Sequence, residues 1–108
     1  MNYTVKFIPE AVQDYQSLDG SVKKQVNVKI DKLKENPYLG ELLGNKNDLV
    51  LSGFYKIYVA KKTYRIVYRL TKEGQIEIIE IWGIGRRDKL EIYKMVSKRI
   101  RDIKPSRN

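Results

Sequence analysis

Four segments of the chain are predicted to be β-strands, and in the first of them apolar and polar residues alternate with a period of two. The first strand covers residues 3–8, and the others cover residues 54–60, 63–71 and 75–84. The last segment is apolar at positions of both parities, which is typical of a central strand that is covered on both faces of its sheet.

A helical period predicts three helices. The first begins at Pro9, because proline is tolerated in the first turn of a helix. Residues 19–21 (Asp-Gly-Ser) break that helix and cap the second one, which stops at residues 36–37 (Asn-Pro). The third covers residues 87–103. The apolar stripes of the second and third helices are Val22, Val26, Ile30 and Leu33, and Ile92, Val96, Ile100 and Ile103.

The elements follow the order β-α-α-β-β-β-α, which predicts the α+β class, with an antiparallel sheet packed against a helical hairpin and a C-terminal helix. The glycine- and asparagine-containing stretch 38–48 is predicted to be a loop, and residues 61–62 and 72–74 to be turns between strands. A chain of 108 residues is expected to form a single domain, residues 1–108.

The composition removes several classes of enzyme. The chain contains no Cys and no His, so it lacks thiol nucleophiles, thiolate and imidazole metal ligands, and the commonest general base. We therefore expect neither a metal nor a cofactor. Any catalysis has to use Lys, Arg, Tyr, Asp or Glu.

The charge is large and unevenly distributed. The net charge is +9; residues 1–50 hold 7 basic and 7 acidic side chains, whereas residues 86–108 hold 9 basic and 3 acidic ones. This pattern indicates a polyanionic partner, either nucleic acid or an acidic protein, bound by the second half of the chain. No apolar run has the length of a membrane span, and the first residues lack the apolar region of a signal peptide, so we expect a cytoplasmic protein that does not bind membranes.

Strand periodicity brings several basic side chains together. Lys56 and Tyr58 share one face of their strand, and Arg65 and Arg69 share one face of the next, so all four can stand on the same side of the hairpin. Neighbouring cations repel one another, which suggests that the cluster serves binding or catalysis. The alternative is that long basic side chains cover the solvent-exposed face of a sheet.

A Gly-Ile-Gly-Arg-Arg segment, residues 83–87, lies between the last strand and the last helix. It lacks the third glycine and the βαβ context of a dinucleotide-binding fingerprint. We interpret it as a turn that brings Arg86 and Arg87 to a helix N-terminus, where N–H groups and guanidinium groups bind phosphate. Tyr93 follows on about the same side of that helix, unless it packs on the sheet.

Three segments resemble the RelE/ParE superfamily of bacterial toxins, which belong to type II toxin–antitoxin modules. They are residues 54–59 (FYKIYV), 64–68 (YRIVY) and 84–93 (IGRRDKLEIY). The resemblance also includes residues 7–11 (FIPEA) and the helical hairpin, so it spans nearly the whole chain in the same element order. It implies the compact fold of microbial ribonucleases.

For the RelE branch, the resemblance implies a ribosome-dependent mRNA endonuclease that cleaves in the A site by metal-free attack of the 2′-hydroxyl and so inhibits translation. The catalytic positions fall on Lys56, Arg65, Arg87 and Tyr93. The two arginines would stabilise the phosphoryl charge and the leaving oxygen, and the tyrosine would stack on or orient a base. RelE has a second lysine where this chain has Tyr58, so the general base is either Lys56 or Tyr58 acting as a phenolate.

Further basic residues near these positions are expected to bind RNA: Lys61, Lys62, Arg69, Arg86 and Lys94. The resemblance implies three partners, namely the ribosome, its mRNA and a cognate antitoxin that holds the toxin in a hetero-oligomer. Two other functions remain open. One is inhibition of DNA gyrase without nuclease activity, as in the ParE branch, and the other is non-catalytic RNA binding.

Overall fold

A five-stranded sheet with helices on both faces forms the centre of the computed structural model, which describes residues 3–46, 49–86, 88 and 91–103. The element order and class agree with the prediction. The elements are β1 (Thr4–Phe7), α1 (Pro9–Gln16), α2 (Gly20–Glu35), a 3₁₀ turn (Pro37–Leu39), β2 (Glu41–Leu42), β3 (Asn45–Lys46), β4 (Leu49–Val50), β5 (Phe54–Val59), β6 (Tyr64–Glu73), β7 (Ile76–Arg86) and α3 (Glu91–Ile103).

The strand order in the sheet is β1-β7-β6-β5-β2, and β3 pairs with β4 in a separate ribbon. The pairs β7-β6 and β6-β5 are antiparallel as predicted. The pair β5-β2, which was not predicted, is also antiparallel, whereas β1 runs parallel to β7. The sheet is therefore mixed. Alternation along a strand reports which faces it presents and not the direction in which it runs, so the sequence pattern did not reveal the parallel pair.

The stretch predicted to be a loop, residues 38–48, contains part of the 3₁₀ turn and the two-residue strands β2 and β3. These strands are too short to show a period of two. One other boundary also differs from the prediction, because β6 continues to Glu73 and its turn begins at Gly74 with φ 62°. The helix predicted over residues 87–103 is observed over Glu91–Ile103, and residues 87, 89 and 90 lie outside the described residues.

One face of the sheet is covered by α1 and α2. The predicted stripe of α2 is confirmed, because all four of its residues are buried against Ile57, Ile66, Ile79 and Ile81 of the sheet. The predicted cap is confirmed as well: the Asp19 carboxylate accepts a hydrogen bond from the backbone N–H of Val22 at 3.0 Å.

The other face of the sheet is covered in part by α3, whose Ile92, Tyr93 and Val96 are buried against Phe54 and Trp82. Of the predicted stripe of α3, Ile92 and Val96 are buried, Ile100 is half-buried and Ile103 is exposed. The face that carries the basic hairpin residues therefore has a second apolar core along one side, where α3 forms a partial second layer on the sheet.

Two glycines of β7 allow α3 to approach. A Cβ atom at position 83 would lie 2.7 Å from the Val96 side chain, and one at position 85 would lie 3.2 Å from the Ile92 side chain. The absence of side chains at Gly83 and Gly85 therefore leaves space on the surface of β7 for the side chains of α3. The interpretation of residues 83–87 as a phosphate-binding turn is wrong for this glycine pair, because both glycines lie inside β7.

Asp14 and Arg99 close a gap at the edge of β7. β1 pairs only with Ile78–Ile81, which leaves later groups of β7 without a neighbouring strand on that side. The N–H of Ile84 donates to the Asp14 carboxylate at 3.1 Å, and Arg99 donates to the carbonyl of Trp82 at 2.9 Å. Two hydrogen bonds, at 2.8 and 3.0 Å, join the Arg99 guanidinium to the same carboxylate and so tie α3 to α1.

We predict that Gly83→Ala destabilises the fold by about 1–3 kcal/mol, because the added methyl group overpacks the contact with α3. Urea unfolding measures the loss. Gly44→Ala is the matched control, because a Cβ atom there meets nothing within 4 Å. Equal stability of the two variants would contradict the assigned role of Gly83.

We predict that Arg99→Met lowers the free energy of unfolding by about 3–5 kcal/mol, because it leaves the Asp14 carboxylate largely buried without its counter-charge. The side chains of Arg99 and Asp14 are only 14% and 13% exposed. Adding Asp14→Asn should recover part of the loss. Lys98→Met, which breaks an exposed pair with Asp102 on the same helix, should change the stability little. Similar losses from Arg99→Met and Lys98→Met would refute this prediction.

Candidate active site

The pairing of β5 with β6 brings the predicted catalytic residues of the hairpin to one face. Tyr58 lies directly opposite Arg65, and Phe54 lies opposite Arg69. Residues opposite each other in a ladder project to the same side, and Lys56 shares that side with Tyr58 by the period of two. The predicted common face of Lys56, Tyr58, Arg65 and Arg69 is confirmed.

The Tyr58 hydroxyl group is the centre of this cluster. Its oxygen accepts a hydrogen bond from the Lys56 ammonium at 3.0 Å and one from Nη2 of Arg65 at 3.4 Å. Three cations also lie over its ring: Arg65 at 4.7 Å from the centroid, Lys56 at 5.0 Å and Lys62 at 5.5 Å. This environment favours negative charge on the tyrosine oxygen.

The pKa values of Tyr58 and Lys56 shift in opposite directions. The hydrogen bond from Lys56 lowers the pKa of Tyr58 below its usual value, and the charges of Arg65 and Lys56 add to this effect. Burial works to lower the pKa of Lys56, but its hydrogen bond to Tyr58 and the nearby Tyr93 and Glu41 outweigh burial and raise it. Of the two candidate bases, Tyr58 is therefore the one that loses its proton more easily.

Tyr93 reaches the cluster from α3 and holds Arg65. Its side chain is 0% exposed, and its hydroxyl oxygen accepts a hydrogen bond from Nη1 of Arg65. Burial raises the pKa of Tyr93, although the charges of Arg65 and Lys56 oppose this. The prediction that its ring stacks on a base does not fit this arrangement, because α3 buries the ring against the sheet. Tyr93 instead orients the guanidinium.

Arg65 is thus held between two phenols. One terminal nitrogen donates to Tyr93 and the other to Tyr58. Its Nε atom is buried and has no hydrogen-bond partner among the residues that the structure describes. An unsatisfied donor of this kind is costly, and such costs are typical of functional sites.

The turn between β5 and β6 places more positive charge beside the site. Lys61 and Lys62 are exposed there, and Ala60, Lys61 and Lys62 have φ values of 54°, 55° and 71°. These left-handed conformations are unfavourable for residues other than glycine. The turn carries Lys62 over the ring of Tyr58.

The remaining predicted residues do not all join the cluster. Arg69 forms an ion pair with Glu80 at 2.6 Å and lies over the ring of Trp82, further along the same face. Arg86 pairs with Tyr64 across the ladder and therefore projects to the opposite face, where it lies 3.5 Å from Asp88. Lys94 is exposed on α3.

Arg87 lies outside the described residues, so its predicted role stays a prediction. Arg86 is the last residue of β7, and α3 is described over Glu91–Ile103. Residues 87, 89 and 90 between them lie outside the described residues, so the expectation that Arg86 binds phosphate at the start of the helix stays a prediction.

Glu41 is a member of the site that the sequence analysis missed. Its carboxylate lies 3.3 Å from the Lys56 ammonium. It belongs to β2, inside the stretch predicted to be a loop, and nothing in the local pattern indicated that this stretch would pair with β5.

Comparison with known proteins identifies the family. The family model described as the ParE toxin of type II toxin–antitoxin systems matches residues 5–90. A RelE-like toxin protein of Escherichia coli is 31% identical over 103 residues, which cover 94% of this chain and 100% of that protein. The chain belongs to the RelE/ParE superfamily of type II toxins.

Its similarity to individual members favours the RelE branch. The mRNA interferase toxin RelE of Escherichia coli K12 is 26% identical over 102 residues, covering 93% of this chain and 99% of RelE. The free structure of an arginine double mutant of Escherichia coli RelE superposes with a TM-score of 0.71 at 24% identity, over 93% of this chain and 99% of that one. This toxin of RelE type thus has the RelE fold. Within its described residues, no helix is both long and apolar enough to cross a membrane.

We predict that Lys56→Met raises the pKa of Tyr58, because it removes the donor that stabilises the phenolate. A ¹³C NMR titration of protein labelled at tyrosine Cζ measures the pKa, with Tyr58→Phe to assign the signal. Lys6→Met is the control, because Lys6 pairs with Glu73 at a distant surface. An unchanged pKa in Lys56→Met would contradict the assigned hydrogen bond.

Proposed function

We propose that this RelE-type toxin is a ribosome-dependent endoribonuclease that cleaves mRNA in the A site. The observation that carries the proposal is the Tyr58 hydroxyl, held between Lys56 and Arg65 with its pKa lowered. This arrangement provides a base and two cations on one face of the hairpin. The name mRNA interferase of the RelE relative supports the same reaction class.

In the proposed mechanism, Tyr58 acts as a phenolate and takes the proton from a 2′-hydroxyl group. The 2′-oxygen then attacks the adjacent phosphorus, the bond from phosphorus to the 5′-oxygen breaks, and the 5′-oxygen takes a proton from water. A 2′,3′-cyclic phosphate and a 5′-hydroxyl result, and Tyr58 returns its proton to the solvent. Lys56 keeps its proton and, with Arg65, stabilises the charge on the phosphoryl oxygens. Arg87 remains the predicted residue at the leaving oxygen.

Tyrosine is suited to this role only because of its neighbours. A phenol with an ordinary pKa near 10 is almost fully protonated at neutral pH. The surrounding cations increase the phenolate fraction, and a base whose pKa lies closer to the working pH is more effective. Tyr93 contributes by holding Arg65 in place rather than by contacting RNA.

The exposed cations around the cluster are suited to binding the mRNA and the ribosome. Lys61 and Lys62 lie in the turn beside Tyr58, and Lys94 is exposed on α3. Arg86 is exposed on the opposite face, so it would contribute only a more distant contact. Arg69 contributes less, since Glu80 neutralises its charge. Such contacts make RNA binding fall with increasing salt. Because the proposed substrate is mRNA on the ribosome, we also propose that the protein acts in the cytoplasm.

Membership of a type II family supports a cognate antitoxin as the physiological partner, in a hetero-oligomer. The net charge of +9 makes an acidic antitoxin segment the complementary ligand. Binding of such a segment over Lys56 and Arg65 would neutralise the site.

Inhibition of DNA gyrase is the second candidate function. The observation that favours it is the family model, which describes ParE toxins and matches most of the chain. A gyrase inhibitor acts through protein contacts and does not need Tyr58, Lys56 and Arg65 to converge. Because these three residues do converge, we rank RNA cleavage above gyrase inhibition.

Primer extension on a defined mRNA in a reconstituted translation reaction tests the proposal. We expect cuts within codons only when ribosomes are engaged, and we expect Tyr58→Phe to slow cleavage by about 10²–10⁴-fold, since it removes the base. Tyr15→Phe is the matched control, because Tyr15 also has a hydrogen-bonded hydroxyl and a lysine over its ring but lies on α1.

Intact mRNA with the wild-type protein would refute the nuclease proposal, and gyrase-dependent DNA breakage would then be measured. Cleavage that is equally fast in Tyr58→Phe would retain the function but exclude Tyr58 as the base. The rate should also increase with pH up to the lowered pKa of Tyr58, because only the deprotonated phenol accepts a proton.

A further inference from the structure

Glu41 lies at the edge of the candidate site, on the two-residue strand β2. The pairing of β2 with β5 places Glu41 directly opposite Lys56, and the two side chains form an ion pair at 3.3 Å. The Glu41 side chain is 69% exposed, whereas that of Lys56 is only 12% exposed. The carboxylate therefore approaches a largely buried ammonium from the solvent side.

The backbone of β2 is fixed against β5 by Tyr68 and Gly40. The N–H of Gly40 donates to the Tyr68 hydroxyl at 3.1 Å, and that hydroxyl donates to the carbonyl of Pro37 at 2.8 Å. A Cβ atom at position 40 would lie 2.5 Å from the carbonyl oxygen of Lys56 and from the Tyr68 hydroxyl. Only glycine permits this approach, which brings Glu41 within reach of Lys56.

The Lys56 ammonium has two acceptors, the Tyr58 hydroxyl at 3.0 Å and the Glu41 carboxylate at 3.3 Å. Arg65 and Lys62 lie near the same tyrosine ring and repel the ammonium. A flexible lysine stem surrounded by cations needs an opposing charge to stay in place. Glu41 provides the negative charge on the side away from Arg65.

We propose that Glu41 is a positioning residue that holds the Lys56 ammonium against the Tyr58 hydroxyl. This inference rests on the proposed function, because it matters for cleavage only if Tyr58 is the base. Glu41 pairs with Lys56 and, in the proposed mechanism, contacts none of the reacting atoms.

The direction in which the pKa of Tyr58 changes on removal of Glu41 distinguishes positioning of Lys56 from a direct effect of the Glu41 charge. The groups that face Tyr58 are Lys56 on its own strand, Glu41 on β2, Lys62 in the turn, Arg65 on β6 and Tyr93 on α3. The charge of Glu41 raises the pKa of Tyr58 slightly, whereas the hydrogen bond from Lys56 lowers it most. If Glu41 acted through its charge alone, its removal would lower that pKa. If Glu41 positions Lys56, its removal weakens the hydrogen bond and raises that pKa.

Glu41→Ala tests the inference in the free protein by the tyrosine Cζ titration. We expect the pKa of Tyr58 to rise by about 0.5, and we expect Glu41→Gln, whose amide oxygen still accepts from Lys56, to recover part of this change. Glu73→Ala is the matched control, because it removes an exposed carboxylate that pairs with Lys6 at 2.9 Å. A lowered or unchanged pKa in Glu41→Ala would overturn the proposal.

A second measurement uses cleavage of ribosome-bound mRNA. Glu41→Ala should slow cleavage at neutral pH by about 3–10-fold, with the base-dependent limb of the pH profile moved to higher pH, while Glu73→Ala should not. If wild-type protein does not cleave mRNA, the proposed function fails, but the titration still decides whether Glu41 positions Lys56. If the titration follows the positioning prediction while cleavage is unchanged in Glu41→Ala, the claimed role in the reaction is overturned.

Discussion

The unpaired half of the β7 edge is the constraint on which the arrangement of this toxin depends. β1 covers only four residues of an eleven-residue strand, and an exposed strand edge invites pairing with other chains. Asp14 accepts from the N–H of Ile84 and Arg99 donates to the carbonyl of Trp82 at this edge, and a bidentate ion pair joins the two side chains. Because Arg99 and Tyr93 both belong to α3, the same ion pair helps to fix the helix from which Tyr93 holds Arg65. The position of Arg65 in the candidate site therefore depends in part on the ion pair between Asp14 and Arg99, which lies outside the site.

The tyrosine at the second-lysine position of RelE changes how the cluster can work. Two lysines beside Arg65 would repel one another, and each would have to lose a proton to act as a base. A tyrosine instead of a lysine at position 58 leaves the cluster with one positive charge fewer. The cations that remain near its ring favour the phenolate. In the proposed mechanism, Lys56 then remains protonated and stabilises phosphate charge. The substitution is consistent with a change in the base rather than with the loss of the site.

Strand parity allowed the common face of Lys56, Tyr58 and Arg65 to be predicted, because parity depends only on local spacing. Features that depend on register between distant segments could not be predicted in this way. The ion pair of Asp14 with Arg99 joins residues 85 positions apart, and the contact of Glu41 with Lys56 requires a strand of two residues. The side of Arg86 also depended on register, since its pairing with Tyr64 turns it away from Arg65.

The turn from Ala60 to Lys62 shows that local preferences were overridden next to the site. Three successive left-handed residues without a glycine are each unfavourable by about 1–2 kcal/mol, and a glycine-containing turn would remove part of that cost. Such strain persists only where the surrounding structure determines the conformation. Here the long ladder between β6 and β7 and the pairing of β5 with β6 fix both ends of the turn. The turn then carries Lys62 over the Tyr58 ring, so the strain places a further cation beside the phenol whose pKa Lys56 and Arg65 lower.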